Sequence, residues 1–333
     1  MDTKYYNYIL PQANIATHPP KNRGSSRLLV VDKQNQKFLD KKYNDIVNFL
    51  SKGDVLILND TKVIKARLFV TKKSGVQREL IILEKHGKDD DWYEHKVLYR
   101  RKITINDELV TKAGHKIKVI GILGNGVALV KSRINLLDIA ENEGTVPLPP
   151  YLNRQADSHD IERYQTVWAN SVGSVAAPTA SLNMTDQLLE AIAEKGVIIC
   201  KITLHVGLGT FLPIRTNKLE EHIMHKEYFE IPKETVKEIN YAKKSNNKIF
   251  GLGTTVARCI EYSERRVLRG PNTDISGEAD IFIYPGYEFK LLDGLITNFH
   301  APDSTVLMMV AAFLTWPLLL KAYEHAIINN YKF

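Results

Sequence analysis

Apolar residues follow two different rhythms along this chain. From about Ala66 to Asn142 they come in short runs, RLFVTKK, RELIILEK, YEHKVLYR, HKIKVIGIL and GVALVKS, several of which alternate apolar with polar. Gly75, Gly87, Gly114 and Gly124-Asn125-Gly126 separate the runs. A period of two bounded by turn residues predicts strands, and strands this short and this evenly spaced predict a small antiparallel barrel or sandwich. Leu136 to Glu143 reads as a helical turn, and Pro147, Pro149 and Pro150 as a rigid boundary.

On either side the rhythm is that of an α/β protein. YNDIVNFL (43–50) has helical spacing, and VLIL (55–58), bounded by Gly53-Asp54 and Asn59-Asp60, reads as a buried strand. LLEAIAEK (188–195) predicts a helix closed by Gly196, and VIICKITLHV (197–206) a strand. ETVKEINYAKKS (234–245) and TVARCIEYSE (255–264) predict helices around a strand KIFGLG (248–253). ADIFIYPG (279–286) and LITNF (295–299) read as strands; Leu307 to Leu320 and KAYEHAIINN read as helical. Such alternation predicts a mixed sheet with helices on both faces. The architecture expected is an α/β domain built from residues 1–64 and 148–333, with an all-β barrel domain inserted at 65–147.

Bulk composition narrows this little. The 333 residues carry a net charge of +7, which fits a polyanionic partner and equally a solvated surface. LYRRK (98–102) and ERRVLR (264–269) are the densest basic clusters, read first as solvated faces and second as RNA contacts. Cys200 and Cys259 match no metal-ligand spacing and read as reduced, buried side chains of a cytoplasmic protein. MDTKYYNYILPQ has no basic region followed by an apolar run, so no signal peptide is expected. VLMMVAAFLTWPLLL (306–320) is shorter than a bilayer span and carries Pro317, so a buried helix is expected there.

Chemistry concentrates at predicted strand ends, where open α/β sheets bind ligands. RYQTVWANSVGSVAAPTASLNMT (163–185) has a run of small residues that lets backbone approach a ligand; a purely steric turn is an equal reading. Thr185 is placed to cap the next helix. In TLHVGLGTF (203–211) a strand runs into Gly-Leu-Gly-Thr with His205 at its end, facing a pocket mouth. EEHIMHKE (220–227) pairs His222 with His225, without the spacing or third ligand of a zinc site. FGLGTTVAR (250–258) offers backbone N–H groups and the Thr254 and Thr255 hydroxyls at a helix start, but lacks the third glycine of a dinucleotide fingerprint. FIYPGYEF (282–289) suits stacking of a base and equally aromatic core packing. LITNFHAPDST (295–305) ends a strand in Asn298 and His300, with Ser304 or Thr305 able to cap a helix. HPPKNRGSSRLLVVD (18–32) and LNDTKVIKARL (58–68) read as loops near a site. There is no Ser-His-Asp order, paired-carboxylate signature or cysteine nucleophile. The residues suit a polar small molecule with an adenosine-like part and histidine as proton carrier.

RYQTV, GSVAAPTA, TLHVGLGTF, H-x-M-H-x-E, GTT-x-x-R, FIYPGY-x-F and LITNFH, in this order, resemble the S-adenosylmethionine:tRNA ribosyltransferase-isomerase family. HP, SRLLV-x-D and LNDT-x-V-x-ARL extend the likeness toward the N-terminus; within the β-rich insert it is weak. The resemblance implies an α/β domain with an inserted β-barrel. It implies transfer and isomerisation of the ribosyl part of S-adenosylmethionine (SAM) onto 7-aminomethyl-7-deazaguanine at the tRNA wobble position. Adenine and methionine leave, and epoxyqueuosine-tRNA results. SAM is a substrate; no cofactor, metal or membrane is expected, and the chain is expected to be a monomer. His205, His225, His300 and Arg258 become the candidate catalytic residues. Tyr164, Gln165, Thr166, Ser174, Ala177, Pro178, Thr179, Ala180, Asn183, Gly207, Gly209, Thr210, Phe211, Gly253, Thr254, Thr255, Tyr284 and Asn298 become candidates for holding SAM or the base. The chain departs from the family pattern at Asn183, where a histidine is usual, at Ala279 before Asp280, and at Asp303, where a lysine is usual. Asn183 hydrogen-bonds but takes no proton at pH 7. Two other readings follow from these departures: a homologue that binds without turnover, and a transferase with another acceptor.

Overall fold

The computed structural model describes residues 1–88, 90–148, 157–207, 209 and 213–333. The chain opens with an antiparallel hairpin, β1 (Arg27–Asp32) and β2 (Lys37–Lys42), followed by a turn of 3-10 helix at Tyr43–Phe49. The helical spacing at 43–50 is realised as a 3-10 run: Asn44 and Asp45, poor α-formers, fall in its first turn, and Asp45 accepts from the Lys42 N–H. Next come β3 (Val55–Asn59) and the short β4 (Thr61–Val63).

Six strands then make the β-rich part: β5 (Arg67–Lys72), β6 (Gln77–Ile82), β7 (Glu94–Arg100), β8 (Glu108–Thr111), β9 (Lys116–Gly124) and β10 (Val127–Ser132). They close into an antiparallel barrel in the order β10-β7-β6-β5-β8-β9. Closure leaves no free strand edge, and strict alternation fills the inside. Leu68 and Val70 are buried while Phe69 between them is 55% exposed. Helix α1 (Leu136–Glu143), capped by Asn135, packs Leu136 and Ile139 onto the same core.

The rest of the chain returns to the sheet through α2 (Ser158–Arg163), β11 (Ser171–Ser174), α3 (Asp186–Glu194), β12 (Ile198–Leu204), β13 (Glu227–Ile231), α4 (Lys233–Lys244), β14 (Ile249–Leu252), α5 (Thr254–Tyr262), α6 (Glu264–Arg269), β15 (Ile275–Ala279), β16 (Gly294–Ile296), α7 (Thr305–Leu314) and α8 (Trp316–Ile328). The main sheet has the order β15-β13-β12-β3-β14-β16. β12, β3, β14 and β16 run parallel, and β13 and β15 add an antiparallel edge. β3 lies inside the sheet and explains the unbroken run VLIL. Val55 and Ile57 pack with Phe229, Ile239, Val256 and Ile260 on the α4 and α5 face; Leu56 and Leu58 pack with Ile46, Leu188 and Ile192 on the other. Helices therefore cover both faces.

Two expectations are corrected. The strand expected at 279–286 lies earlier, at Ile275–Ala279, and residues 280–286 belong to no strand. The apolar side chains of that stretch are used in packing instead: Ile283 is 1% exposed, and Phe282 and Tyr284 join a cluster with α7 and α8. The single helix expected over 307–320 is two, α7 and α8, bent by 110° at Thr315, whose φ is 107°. Pro317 stands in the first turn of α8, where its missing N–H costs nothing. Among the described residues no single helix is long and apolar enough to cross a membrane.

Barrel and sheet meet through backbone. β4 pairs in parallel with β11, and the Ile64 N–H donates to Ser174 O at 2.8 Å. Past the end of β6, the Lys85 N–H donates to Gly173 O at 2.9 Å. This lays the barrel segment Glu84-Lys85-His86 across the carboxyl end of β12.

Candidate active site

Asn59 and Asp60 close the carboxyl end of β3. Asn59 is fully buried; its Nδ2 donates to Leu204 O at 2.9 Å and to Thr255 Oγ1 at 3.4 Å, and its Oδ1 accepts from the Thr61 and Leu204 N–H groups, both at 3.1 Å. One side chain thus ties β3, β12 and the start of α5. Asp60 accepts from Thr203 Oγ1 at 2.6 Å. Ser174 is equally committed: its Oγ accepts from the Val206 N–H at 2.6 Å. These bonds fix where β12 ends and the Gly207 turn begins.

His205 follows β12 and is buried rather than facing a pocket mouth, with 3% exposure. The reason is Gly173: the ring packs against its Cα, so close that a Cβ there would lie 2.9 Å from Cε1. The ring lies over Tyr228, and Nδ1 is 2.8 Å from Thr61 Oγ1. Burial, with Lys85 adding to it, lowers its pKa to about 4.

On the opposite face of β13 a second polar group is built around Glu227, which is fully buried. Its Oε2 pairs with Arg258 Nη1 from α5, and its Oε1 accepts from the Gly207 N–H and from His225 Nε2, both at 3.2 Å. Arg258 Nη2 also donates to Ala279 O at 3.2 Å and to His225 O at 3.3 Å. Burial alone would raise the Glu227 carboxyl; the Arg258 charge and the His225 hydrogen bond hold it down to about 2. Gly209 makes room for His225, since a Cβ on it would fall 2.6 Å from the ring Cγ. Gly207 makes room for Glu84 of the barrel segment in the same way. So the glycines of TLHVGLGTF admit ionisable side chains of the protein itself.

His205, His225, Arg258 and Gly207 are therefore gathered around the end of β12 and the start of β13. His300 is not part of that group. It is half-buried beyond β16, where Nε2 meets Thr297 Oγ1 at 3.0 Å and the N–H donates to the Tyr323 hydroxyl at 3.0 Å. Burial lowers its pKa to about 4. Several other candidates are structurally engaged. Gln165 holds the Val63 backbone at both its N–H and its carbonyl, at 3.0 and 2.7 Å. Asn183 accepts from Ser26 Oγ at 2.7 Å and so anchors the segment before β1. Tyr164 and Thr166 are buried, Tyr164 beside Ala177 and Val146. Pro178, Thr179 and Ala180 open a 3-10 turn at Thr179–Asn183, with the Ala180 methyl 3.8 Å from where a Cβ of Gly253 would stand. Gly253 has φ 98° and receives Thr254 and Thr255 as the first residues of α5. Tyr284 packs on Phe282 at 5.1 Å, and Asn298 is exposed. Thr210 and Phe211 lie outside the described residues. The expected caps are present: Thr185 accepts from the Leu188 N–H and Ser304 from the Leu307 N–H, each at 3.2 Å. Among the described residues no group of three metal-ligating side chains occurs.

Glu84 and Glu227 are the residues that motif reading passed over. Glu227 stood inside the quoted EEHIMHKE; Glu84 sits in barrel sequence that carries no motif.

The neutral histidines have a consequence for stability. An unfolded histidine titrates near 6.5, so between that pH and about 4 the unfolded chain binds protons that His205 and His300 in the folded chain do not. Stability is then fully present above pH 6.5 and falls as pH drops toward 4, by about 1.4 kcal/mol per pH unit for each ring. Urea unfolding midpoints from pH 8 to pH 4 should be flat and then decline in that window. Replacing His205 with Gln should flatten the decline, and an unchanged slope in that variant would contradict the burial of a neutral ring.

A family model for queuosine biosynthesis proteins matches residues 3–333. The S-adenosylmethionine:tRNA ribosyltransferase-isomerase of Chlorobaculum parvum is 47% identical over 335 residues, spanning 100% of this chain and 97% of that protein. The protein of the same name from Francisella tularensis subsp. mediasiatica is 39% identical over 334 residues, with 100% and 97% covered. The crystal structure of an S-adenosylmethionine tRNA ribosyltransferase from Thermotoga maritima aligns with a TM-score of 0.56 at 30% identity, over 98% of this chain and 96% of that one. The gathering of strand-end glycines, histidines and the Glu227–Arg258 pair in a sheet with an inserted barrel thus has a family to belong to: this chain is a member of the queuosine biosynthesis protein family, among enzymes named S-adenosylmethionine:tRNA ribosyltransferase-isomerases.

Proposed function

We propose that the chain transfers and isomerises the ribosyl part of SAM onto 7-aminomethyl-7-deazaguanine at the tRNA wobble position. Adenine and methionine are released, and epoxyqueuosine-tRNA is the product. The observation that carries this reading is whole-length similarity to enzymes of that name, together with a polar cluster at the carboxyl ends of parallel strands. SAM enters as substrate, without a cofactor, and the enzyme works as a monomer in the cytoplasm.

The chemistry asks for three things. The sulfonium acidifies the C5′ protons, so a base near C5′ starts the loss of adenine from the sugar. The amine of the modified base then attacks the sugar, and methionine leaves as the thioether. His205 is neutral at pH 7, as a proton acceptor must be, though a ring of this pKa is a weak base. His225 directs Nε2 at Glu227, so the carboxylate would stabilise a positive charge gained on that ring. Ala180 and Gly253 lie side by side where α5 begins, and these small residues would let an adenosyl group approach backbone there. The basic clusters at 98–102 and 264–269 supply the tRNA contact in this reading.

The protein, SAM and tRNA carrying the aminomethyl precursor base should release free adenine, and tRNA with guanine at the wobble position should not support release. Binding of SAM without adenine release would support a homologue without turnover. Replacement of His205, His225 and His300 by Ala, one at a time, should lower the rate for at least one. Wild-type rates in all three would remove histidine from the mechanism.

A further inference from the structure

Glu84 has no role in the chemistry above, yet it is placed against it. The side chain leaves the barrel after β6 and ends beside Gly207, with 7% exposure. A Cβ on Gly207 would stand 2.5 Å from its carboxyl carbon and 2.8 Å from Oε2. Oε2 has no hydrogen-bond partner among the described residues; the carboxyl takes a hydrogen bond from its own backbone N–H, and Oε1 lies 3.8 Å from His86 Nε2. Burial first, and the nearby charge of Glu227 with it, favour its protonated form, against the hydrogen bond from its own backbone N–H and the pull of His225 and His95.

With Glu84 protonated, Arg258 and Glu227 balance one another; an ionised Glu84 would need a further cation. Arg258 is the guanidinium of the cluster, and it pairs with Glu227. Lys85, next to Glu84 in sequence, points to the other side, its Nζ 5.8 Å from the centre of the Tyr228 ring. A second buried carboxyl therefore faces the end of β12 with an unused oxygen. Leaving such a group unpaired is costly, and native structures keep one mainly where something else completes it. The completing group must be a cation if the carboxyl is to ionise. A sulfonium has three carbon substituents and no hydrogen-bond donor on sulfur, so a protein recognises it through charge and not through a donor–acceptor pair.

We propose that Glu84 is the counter-ion of the SAM sulfonium, and that this barrel residue lets the enzyme prefer SAM over the uncharged thioether S-adenosylhomocysteine. The proposal rests on the reading that SAM binds at this cluster. It gives the barrel a part in substrate selection, because Glu84 is carried into the sheet by the Lys85–Gly173 backbone bond.

Equilibrium binding of SAM and of S-adenosylhomocysteine to the wild type, Glu84→Gln and Glu84→Asp tests it. Glu84→Gln keeps the shape and removes the charge, so SAM affinity should fall about ten- to hundredfold while thioether affinity changes less than about threefold. Glu84→Asp, which keeps the charge, should recover much of the preference for SAM. An equal loss for both ligands, or no loss, would overturn the proposal. Failure of the wild type to bind SAM would instead overturn the reading on which it rests. If Glu84→Gln does not fold, Gly207→Ala carries the test, since its methyl displaces the same carboxyl and should erase the same preference.

Discussion

Arg258→Met is expected to destabilise the protein by about 3–5 kcal/mol, the cost of leaving a buried charge without its partner. Glu227 is fully buried, and the arginine is what offsets that burial; His225 alone is a weaker partner. The pH dependence gives the effect a signature. In the wild type Glu227 is held at about 2, below the ordinary 4.5, so its stabilisation is complete above pH 4.5 and is lost as pH falls toward 2. In Arg258→Met, burial dominates and raises the carboxyl above 4.5, so the folded variant takes up a proton that the unfolded chain does not. The gap between variant and wild type should be widest near pH 7 and narrow toward pH 4.5. Adding Glu227→Gln to Arg258→Met should restore part of the loss, because a neutral amide costs less to bury than an unpaired carboxylate. Urea unfolding of the two single variants and the double variant measures this. An additive double variant would mean that the two side chains do not act as a pair.

Gly207→Ala should reduce adenine release by about a hundredfold or more, with a stability loss of only about 1 kcal/mol. The new methyl would occupy the space of the Glu84 carboxyl. That carboxyl ends a flexible side chain, so it can swing away without moving backbone. The fold tolerates the change, but the charge no longer sits at the strand end. Gly87→Ala is the control, because nothing among the described residues lies within 4 Å of a Cβ at Gly87 and its backbone is not in the left-handed region. Its activity should stay at the wild-type level. Thermal unfolding alongside the activity assay separates the two causes: a large fall in stability for Gly207→Ala would mean that the glycine serves packing alone.

Much of the architecture was legible because periodicity reports burial directly. The barrel strands alternate, and β3 is apolar throughout since it is covered on both faces. Where an apolar run is buried without pairing, the same reasoning fails. Ile281 to Tyr284 reads as a strand, but its side chains fill gaps between the sheet and α7 and α8. The real edge strand, ISGEA, is short and half polar, and pairs with β13 through its backbone. The break at Thr315 was hidden too, since Thr is not a usual residue for φ 107° and the surrounding run is apolar on both sides of it.

The site was legible only residue by residue. His205, His225, Arg258 and Gly207 stand in recognisable strand-end segments. What joins them is long-range: Arg258 meets Glu227 across 31 positions, and Glu84 meets Gly207 from the barrel. No spacing rule spans such distances. Ser174, Gln165 and Asn183 show the converse, since their polar groups are spent on holding backbone and loops.

Whether the chain carries out this transfer is read from the fate of the wobble nucleoside. After incubation with SAM, precursor-bearing tRNA should be digested and its modified nucleoside weighed by mass spectrometry. The expected result is a gain of one epoxycyclopentanediol unit on the aminomethyl nitrogen, matched by free adenine and methionine in equal amount. An unchanged nucleoside, or one that has gained only a methyl group, would contradict it.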